Sequence, residues 1–208
     1  MESIWLWPLA LVAVLLAWPA LRPLVARLFA DRMRPQALAA QPDRIYLLRV
    51  EEARWRHAES REAAERQLAA AGFADAGAYV VREMPDLTLG LHAHTGERAY
   101  AILYDHPRSG FWAEFVTRYT DATLATYTTL EPMDVDLPEG SVHVADPGLT
   151  LTQLWQRMLA ERPRKPMSEC SRARAAQDFE RGYAESVAYH KRHTTTAPAE
   201  RDEERKAA

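Results

Sequence analysis

Cysteine, basic excess and glycine-rich loops are all scarce in this sequence. Cys170 is the one cysteine in 208 residues. That excludes an internal disulfide, a CxxC redox pair and a multi-cysteine zinc site, and it accords with a reducing compartment. Lys and Arg number 26 against 29 Asp and Glu, a net charge of −3. The basic excess of a nucleic-acid binder is missing, so no nucleic-acid partner is expected. Eight glycines supply neither a Walker A loop nor G-x-G-x-x-G, which removes phosphate cradling by those routes. No G-x-S-x-G elbow surrounds Ser109, and Cys170 sits in a charged linker with no identifiable base. There is no internal repeat.

Long uncharged runs are absent as well, with one exception. Residues 4–21, IWLWPLALVAVLLAWPAL, carry no charge. As a helix this run spans about 27 Å, close to the ~30 Å hydrocarbon core of a bilayer. Trp5, Trp7 and Trp18 mark its ends in the manner of an interfacial belt. Glu2 alone precedes it, whereas Arg22, Arg27, Arg32 and Arg34 follow it with Asp31 as the single opposing acid. The positive-inside rule then leaves the N-terminus outside and the C-terminal domain in the cytoplasm. The expectation is a single-pass protein of the cell membrane. The lipid bilayer is its partner, met at the interface by Trp5, Trp7, Trp18, Arg22 and Arg27. A cleaved signal peptide asks for a basic start and a nearby small-residue cleavage site. Glu2 stands at the start instead, and the nearest A-x-A, at 37–39, lies well past the run. Residues 22–42 read as a juxtamembrane segment and linker.

Behind the anchor, 43–193 reads as one cytoplasmic α+β domain and 194–208 as a disordered polar tail. Residues 43–72 suggest a long helix closed by Gly72, with 45–50 as an alternative strand. From 76 to 130 the texture changes to about five short segments of β-branched and aromatic residues separated by turn signals, which predicts an antiparallel meander. A further strand is suggested at 141–145. Thr150 and Gln153 fit a capping box, and Leu151, Leu154, Trp155, Met158 and Leu159 follow as one helical stripe. A last helix is expected from about Ser171 to His190, with Ala176, Phe179, Tyr183 and Val187 on its apolar side. The basic stretch 162–174 reads as an exposed linker, with lipid headgroups as the alternative contact.

Two constellations carry chemistry. In a strand over 87–94, His92 and His94 share a face and can reach one transition-metal ion. With Glu97 they resemble the H-x-H strand followed by a glutamate of the cupin fold, although the glutamate here comes one or two positions early. His106 and His143 are further candidate ligands. Tyr100, Tyr104, Trp112, Glu114 and Arg118 form the second constellation: alternation can gather them on one aromatic and polar sheet face, on the side of the histidines if the register allows. Such a face suits a small apolar ligand or a protein segment. The order of helix, meander and C-terminal helix loosely resembles helix-grip and cone-like ligand-binding folds. Asp105 and His106 are adjacent, but adjacency creates no catalytic geometry. The leading expectation is a non-enzymatic binding or accessory domain held at the membrane, without a cofactor. The alternatives are a small metal-dependent enzyme using His92 and His94, and a structural subunit of a membrane assembly.

Overall fold

Side chains that point alternately to the two faces of one sheet set the architecture. The computed structural model describes residues 41–132 and 136–207, with side chains through 193. The run 4–21, with Trp5, Trp7 and Trp18, and the following Arg22 and Arg27 lie outside the described residues, as does nearly all of 22–42. Among the described residues no helix is long and apolar enough to cross a membrane. Residues Pro42–Tyr189 form one compact unit. It holds every described strand.

That unit is an α+β domain with one seven-stranded sheet in sequential order: β1 (Leu47–Val50), β2 (Ala74–Val81), β3 (Met84–His94), β4 (Ala99–His106), β5 (Gly110–Arg118), β6 (Leu124–Thr128) and β7 (Val142–Ala145). Neighbours from β1 to β6 are antiparallel, and β7 runs parallel to β6. Three helices accompany it: α1 (Ala58–Ala70), α2 (Leu151–Glu161) and α3 (Ala175–Ala207), the last entered through a 3-10 turn at Arg172–Arg174. The backbone of α3 continues past His190 into the stretch that composition reads as a polar tail; the side chains from 194 onward lie outside those described.

Two expectations change. Residues 43–72 are not one helix: a strand, β1, comes first and α1 starts only at Ala58. Leu47 pairs with Val81 and Arg49 with Tyr79, while Ile45 is 2% exposed. Sheet pairing and burial there outweigh the helix propensity of the charged residues around them. The strand count also rises to seven, because β1 and β7 flank the expected meander. The resemblance to a cupin does not extend to the fold: among the described residues there is one sheet and no second sheet packed on it.

Helix ends follow their sequence signals. At the end of α1, the Phe73 N–H donates to the Leu68 carbonyl and the Gly72 N–H to the Ala69 carbonyl, both at about 3 Å. That is a Schellman closure, and it needs the positive φ of +91° that Gly72 supplies. At the start of α2, Thr150 and Gln153 exchange their side-chain and backbone bonds as a capping box.

One face of the sheet carries the main core. Leu103, Phe115 and Tyr127 from the strands meet Leu68 of α1 and Leu154, Trp155 and Met158 of α2. Phe73 sits between the layers, its ring centroid 5.5 Å from Phe115 and 4.8 Å from Trp155. The other face is covered by the first part of α3 through Ala175, Phe179 and Tyr183. β3 and β4 lie between the two helical layers, so their side chains are buried on both faces along most of their length. Part of the basic stretch before α3 packs onto the sheet, while Arg164, Arg172 and Arg174 stay exposed as a linker would. Arg162 bonds to Glu97 and Thr117, and Lys165 to Asp121 and Thr123.

The capping box gives a direct stability test. Thr150→Ala removes the acceptor for the Gln153 N–H and is expected to cost about 1 kcal/mol in urea unfolding, while Thr150→Ser retains most of it. Equal midpoints for Thr150→Ala and the unsubstituted protein would show that the cap contributes nothing.

Candidate functional site

The site is built by the pairing of β4 with β5. Tyr100 lies opposite Val116, Ile102 opposite Glu114, and Tyr104 opposite Trp112. Alternation then puts Tyr100, Tyr104, Trp112, Glu114 and Arg118 on one face, the face under α3. A cavity of about 270 Å³ lies between this face and the helix. Its walls are largely apolar, with Leu91, Ile102, Val116 and Leu124 from the strands and Ala175 and Phe179 from α3. An apolar cavity of ~150 Å³ admits a benzene ring, so this one has room for a larger molecule. Tyr100, Tyr104, Glu114 and Arg118 line it. Trp112 backs it, stacked on Tyr104 with centroids 4.7 Å apart and planes 3° from parallel.

The polar groups are sharply placed. The Tyr104 hydroxyl donates to Glu114 Oε2 at 2.8 Å. Burial raises the Glu114 carboxyl above the ordinary carboxylate value, and hydrogen bonds from Tyr104 and Thr128 offset only part of that. Tyr104 is raised as well, by burial first and then by Glu114 beside it. At one end the Tyr100 hydroxyl accepts from the Ser171 N–H at 3.1 Å and donates to Asp178 Oδ2 at 2.8 Å, tying the start of α3 to the sheet. Toward solvent, Arg118 grips Glu185 with two bonds of 2.6 and 3.1 Å. Cys170 also lines the cavity. Its thiol donates to the Ala99 carbonyl, and burial pushes its pKa up to about 11, so it stays a protonated, poor nucleophile at neutral pH. Tyr183 lines the cavity from α3, and its buried hydroxyl has no hydrogen-bond partner among the described residues.

The histidines are on the opposite face. His92 pairs with Ala101 and His94 with Ala99, which places both toward α1 and away from Tyr100 and Glu114. The four residues between His94 and Ala99 fix this parity: they set even-numbered positions of β3 beside odd-numbered positions of β4. The two constellations are therefore separate, and neither lends the other a ligand. His94 Nδ1 accepts the Glu97 N–H at 3.1 Å, and its ring stands edge-on to Phe73 at 5.2 Å. Gly72 allows this packing, since a Cβ there would lie 3.0 Å from His94 Nε2. Glu97 turns to Arg162. His106 Nδ1 accepts the Arg108 and Ser109 N–H groups inside its own turn. Among the described residues no three His, Cys, Asp or Glu side chains gather as a metal site.

Asp105 is tied to His57 rather than to neighbouring His106. It accepts the Arg56 and His57 N–H groups at 2.6 and 3.1 Å and meets His57 Nδ1 at 2.8 Å. Burial on its own would raise Asp105, but these bonds more than offset it and hold its carboxyl below the usual value. The contact spans 48 residues of chain and left no signal in the sequence. Gly182 was also missed, although a glycine beside Tyr183 within a helical stripe is a readable sign of needed space. It lines the cavity, and a Cβ built on it meets nothing within 4 Å.

Compared with protein-family models, curated proteins and solved structures, the chain matches none.

Buried His92 predicts an acid response. Burial lowers its pKa from 6.5 to about 4, with Asp75 opposing the change and Arg61 adding to it. Its Nε2 has no partner among the described residues. The unfolded chain therefore takes up this proton first as the pH falls. Stability is intact above about pH 6.5 and declines toward pH 4, by on the order of 3 kcal/mol in all. Glu114 acts in the opposite sense, its raised carboxyl lowering stability as pH climbs above 4.5. The measurement is thus a difference: His92→Leu is expected to lose about 3 kcal/mol less than the unsubstituted protein between pH 7 and pH 4. Parallel curves for the two proteins would remove His92 as the cause.

Proposed function

We propose that this chain is a non-enzymatic binding domain held at the cell membrane, and that its ligand is a small, largely apolar molecule. The observation that carries the reading is the cavity between the sheet and α3, with largely apolar walls and the Glu114 carboxyl set among them. Ligand sites are concave, mostly apolar and equipped with a few fixed polar groups. The uncharged run 4–21 and the arginines after it supply the membrane half of the proposal. On that reading the run is a single-pass anchor and the domain faces the cytoplasm.

Gly182→Leu tests the cavity. The leucine side chain projects into open space, and glycine is less favourable than leucine in a helix by roughly 0.8 kcal/mol. The variant is expected to melt higher than the unsubstituted protein and to lose binding of indole-sized probes in calorimetric titration of the full chain in lipid nanodiscs. A stabilised variant that still binds such probes would place the ligand elsewhere.

Topology is tested with reporters at both ends. The chain is expected to stay with membranes through an alkaline wash, with its C-terminal reporter in the cytoplasm. Release of a shortened protein, or a C-terminal reporter on the outer side, would overturn the localisation.

A further inference from the structure

Glu114 is the residue in the cavity wall that its surroundings do not explain. It sits mid-strand in β5, opposite Ile102 on one side and Thr128 on the other. A valine or leucine there would continue the apolar wall at no desolvation cost, whereas a carboxyl has to be taken out of water. Tyr104 occupies Oε2 at 2.8 Å. Among the described residues no cation pairs with Glu114. The two arginines that line the cavity are already engaged, Arg118 by Glu185 and Arg98 by the Met167 carbonyl at 2.8 Å. Asp178, the other inward carboxylate, is held by Tyr100 and Arg181. Glu169 is 88% exposed at its side chain, with Arg174 at 3.9 Å. The three carboxyls of the lining thus differ in their partners: Asp178 has Arg181, Glu169 has Arg174, and Glu114, in the apolar wall, has hydrogen bonds from Tyr104 and Thr128 but no cation among the described residues.

The rings around it add a second observation. Tyr104 is stacked on Trp112, and Phe179 lies 6.3 Å from Tyr104 on the roof side. Electron-rich ring faces beside an acid attract organic cations, through the ring quadrupole as well as through charge. We propose that the cavity takes a small organic amine, its apolar body against Ile102, Val116 and Phe179 and its ammonium group on Glu114. This rests on the cavity being a ligand site, as argued above, and adds the chemical class of the ligand. Because burial favours the protonated carboxyl in the empty cavity, a bound ammonium displaces that proton to solvent. No covalent step is involved.

Three probes with one carbon frame separate the readings: 2-phenylethylamine, 2-phenylethanol and phenylacetate. They are titrated calorimetrically into the full chain in lipid nanodiscs, with empty nanodiscs as the blank. The amine is expected to bind about tenfold or more tighter than the alcohol, and phenylacetate weakest. Glu114→Gln, which keeps the side-chain shape, is expected to erase about tenfold of amine affinity and to leave alcohol affinity within about twofold. On the unsubstituted protein, amine binding over the pH range upward of 4.5, the ordinary value above which burial raises Glu114, is expected to release protons, read as heats that vary with the ionisation enthalpy of the buffer; alcohol binding is not. This readout needs no variant and stands even if Glu114→Gln fails to fold. Equal affinity for alcohol and amine, or amine heats independent of buffer across the whole range, overturns the amine assignment and leaves the apolar cavity in place. If none of the three probes binds, the cavity reading falls with it.

Discussion

The pairing of Tyr104 with Trp112 across β4 and β5 decides what each layer of this domain contains. Side chains alternate with a period of two, so this one register sends Leu103 and Phe115 toward α1 and α2 and sends Glu114 toward α3. A slip by one residue would move Glu114 into the aromatic core and expose Phe115 to the cavity. The stacked pair is a strong way to hold that choice, because two large rings in direct cross-strand contact tolerate no alternative partner of the same shape. Everything said of the cavity depends on it.

The two faces then divide the physical work. The α1 and α2 side is filled by Phe73, Phe115, Tyr127 and Trp155 and holds most of the buried apolar surface. The α3 side keeps polar groups and an open volume. Each side also contains one buried titratable group that runs against its environment, His92 on the packed face and Glu114 on the open one. Burial shifts both toward their neutral forms, which means down for the histidine and up for the carboxyl. His92 has no cavity beside it and reads as a cost carried by the core. Glu114 faces space that another molecule can enter. The same desolvation therefore has different meanings on the two faces.

Much of this architecture was legible in the residues. The β2 to β6 meander followed from alternation and turn signals, and the α2 capping box from Thr150 and Gln153 alone. Alternation groups Tyr100 with Tyr104, and Trp112 with Glu114 and Arg118, but only the β4–β5 register puts the two sets on one face. What stayed hidden depended on partners distant in sequence. β1 lies in a stretch rich in helix formers, and only its pairing with β2 decides for strand. The separation of the histidines from the tyrosines depended on how many residues close the β3–β4 connection. The bond between Asp105 and His57 crosses 48 residues with no local pattern to announce it. The parallel placement of β7 on β6 is of the same kind, since a 141–145 strand signal does not say which edge it joins or in which direction.

The roof of the cavity shows where stability was traded for space. α3 is held to the sheet by the Tyr100–Asp178 bond, by the Leu47 N–H donating to Glu180, by a short apolar stripe and by the Arg118–Glu185 pair. Glu185 is 48% exposed at its side chain, and ion pairs of that exposure contribute only about 0–1 kcal/mol. The helices on the other face share a dry aromatic core, which costs far more to open. Local opening begins where buried contacts are fewest, and here that is the α3 layer. Gly182 lies in the middle of this roof and weakens the helix further, by about 1 kcal/mol relative to alanine. Its φ is not positive and nothing crowds its Cβ position, so neither backbone geometry nor packing demands a glycine. What the glycine does provide is the volume beneath it. A position where helix stability is given up with no structural return accords with the ligand-binding reading proposed above.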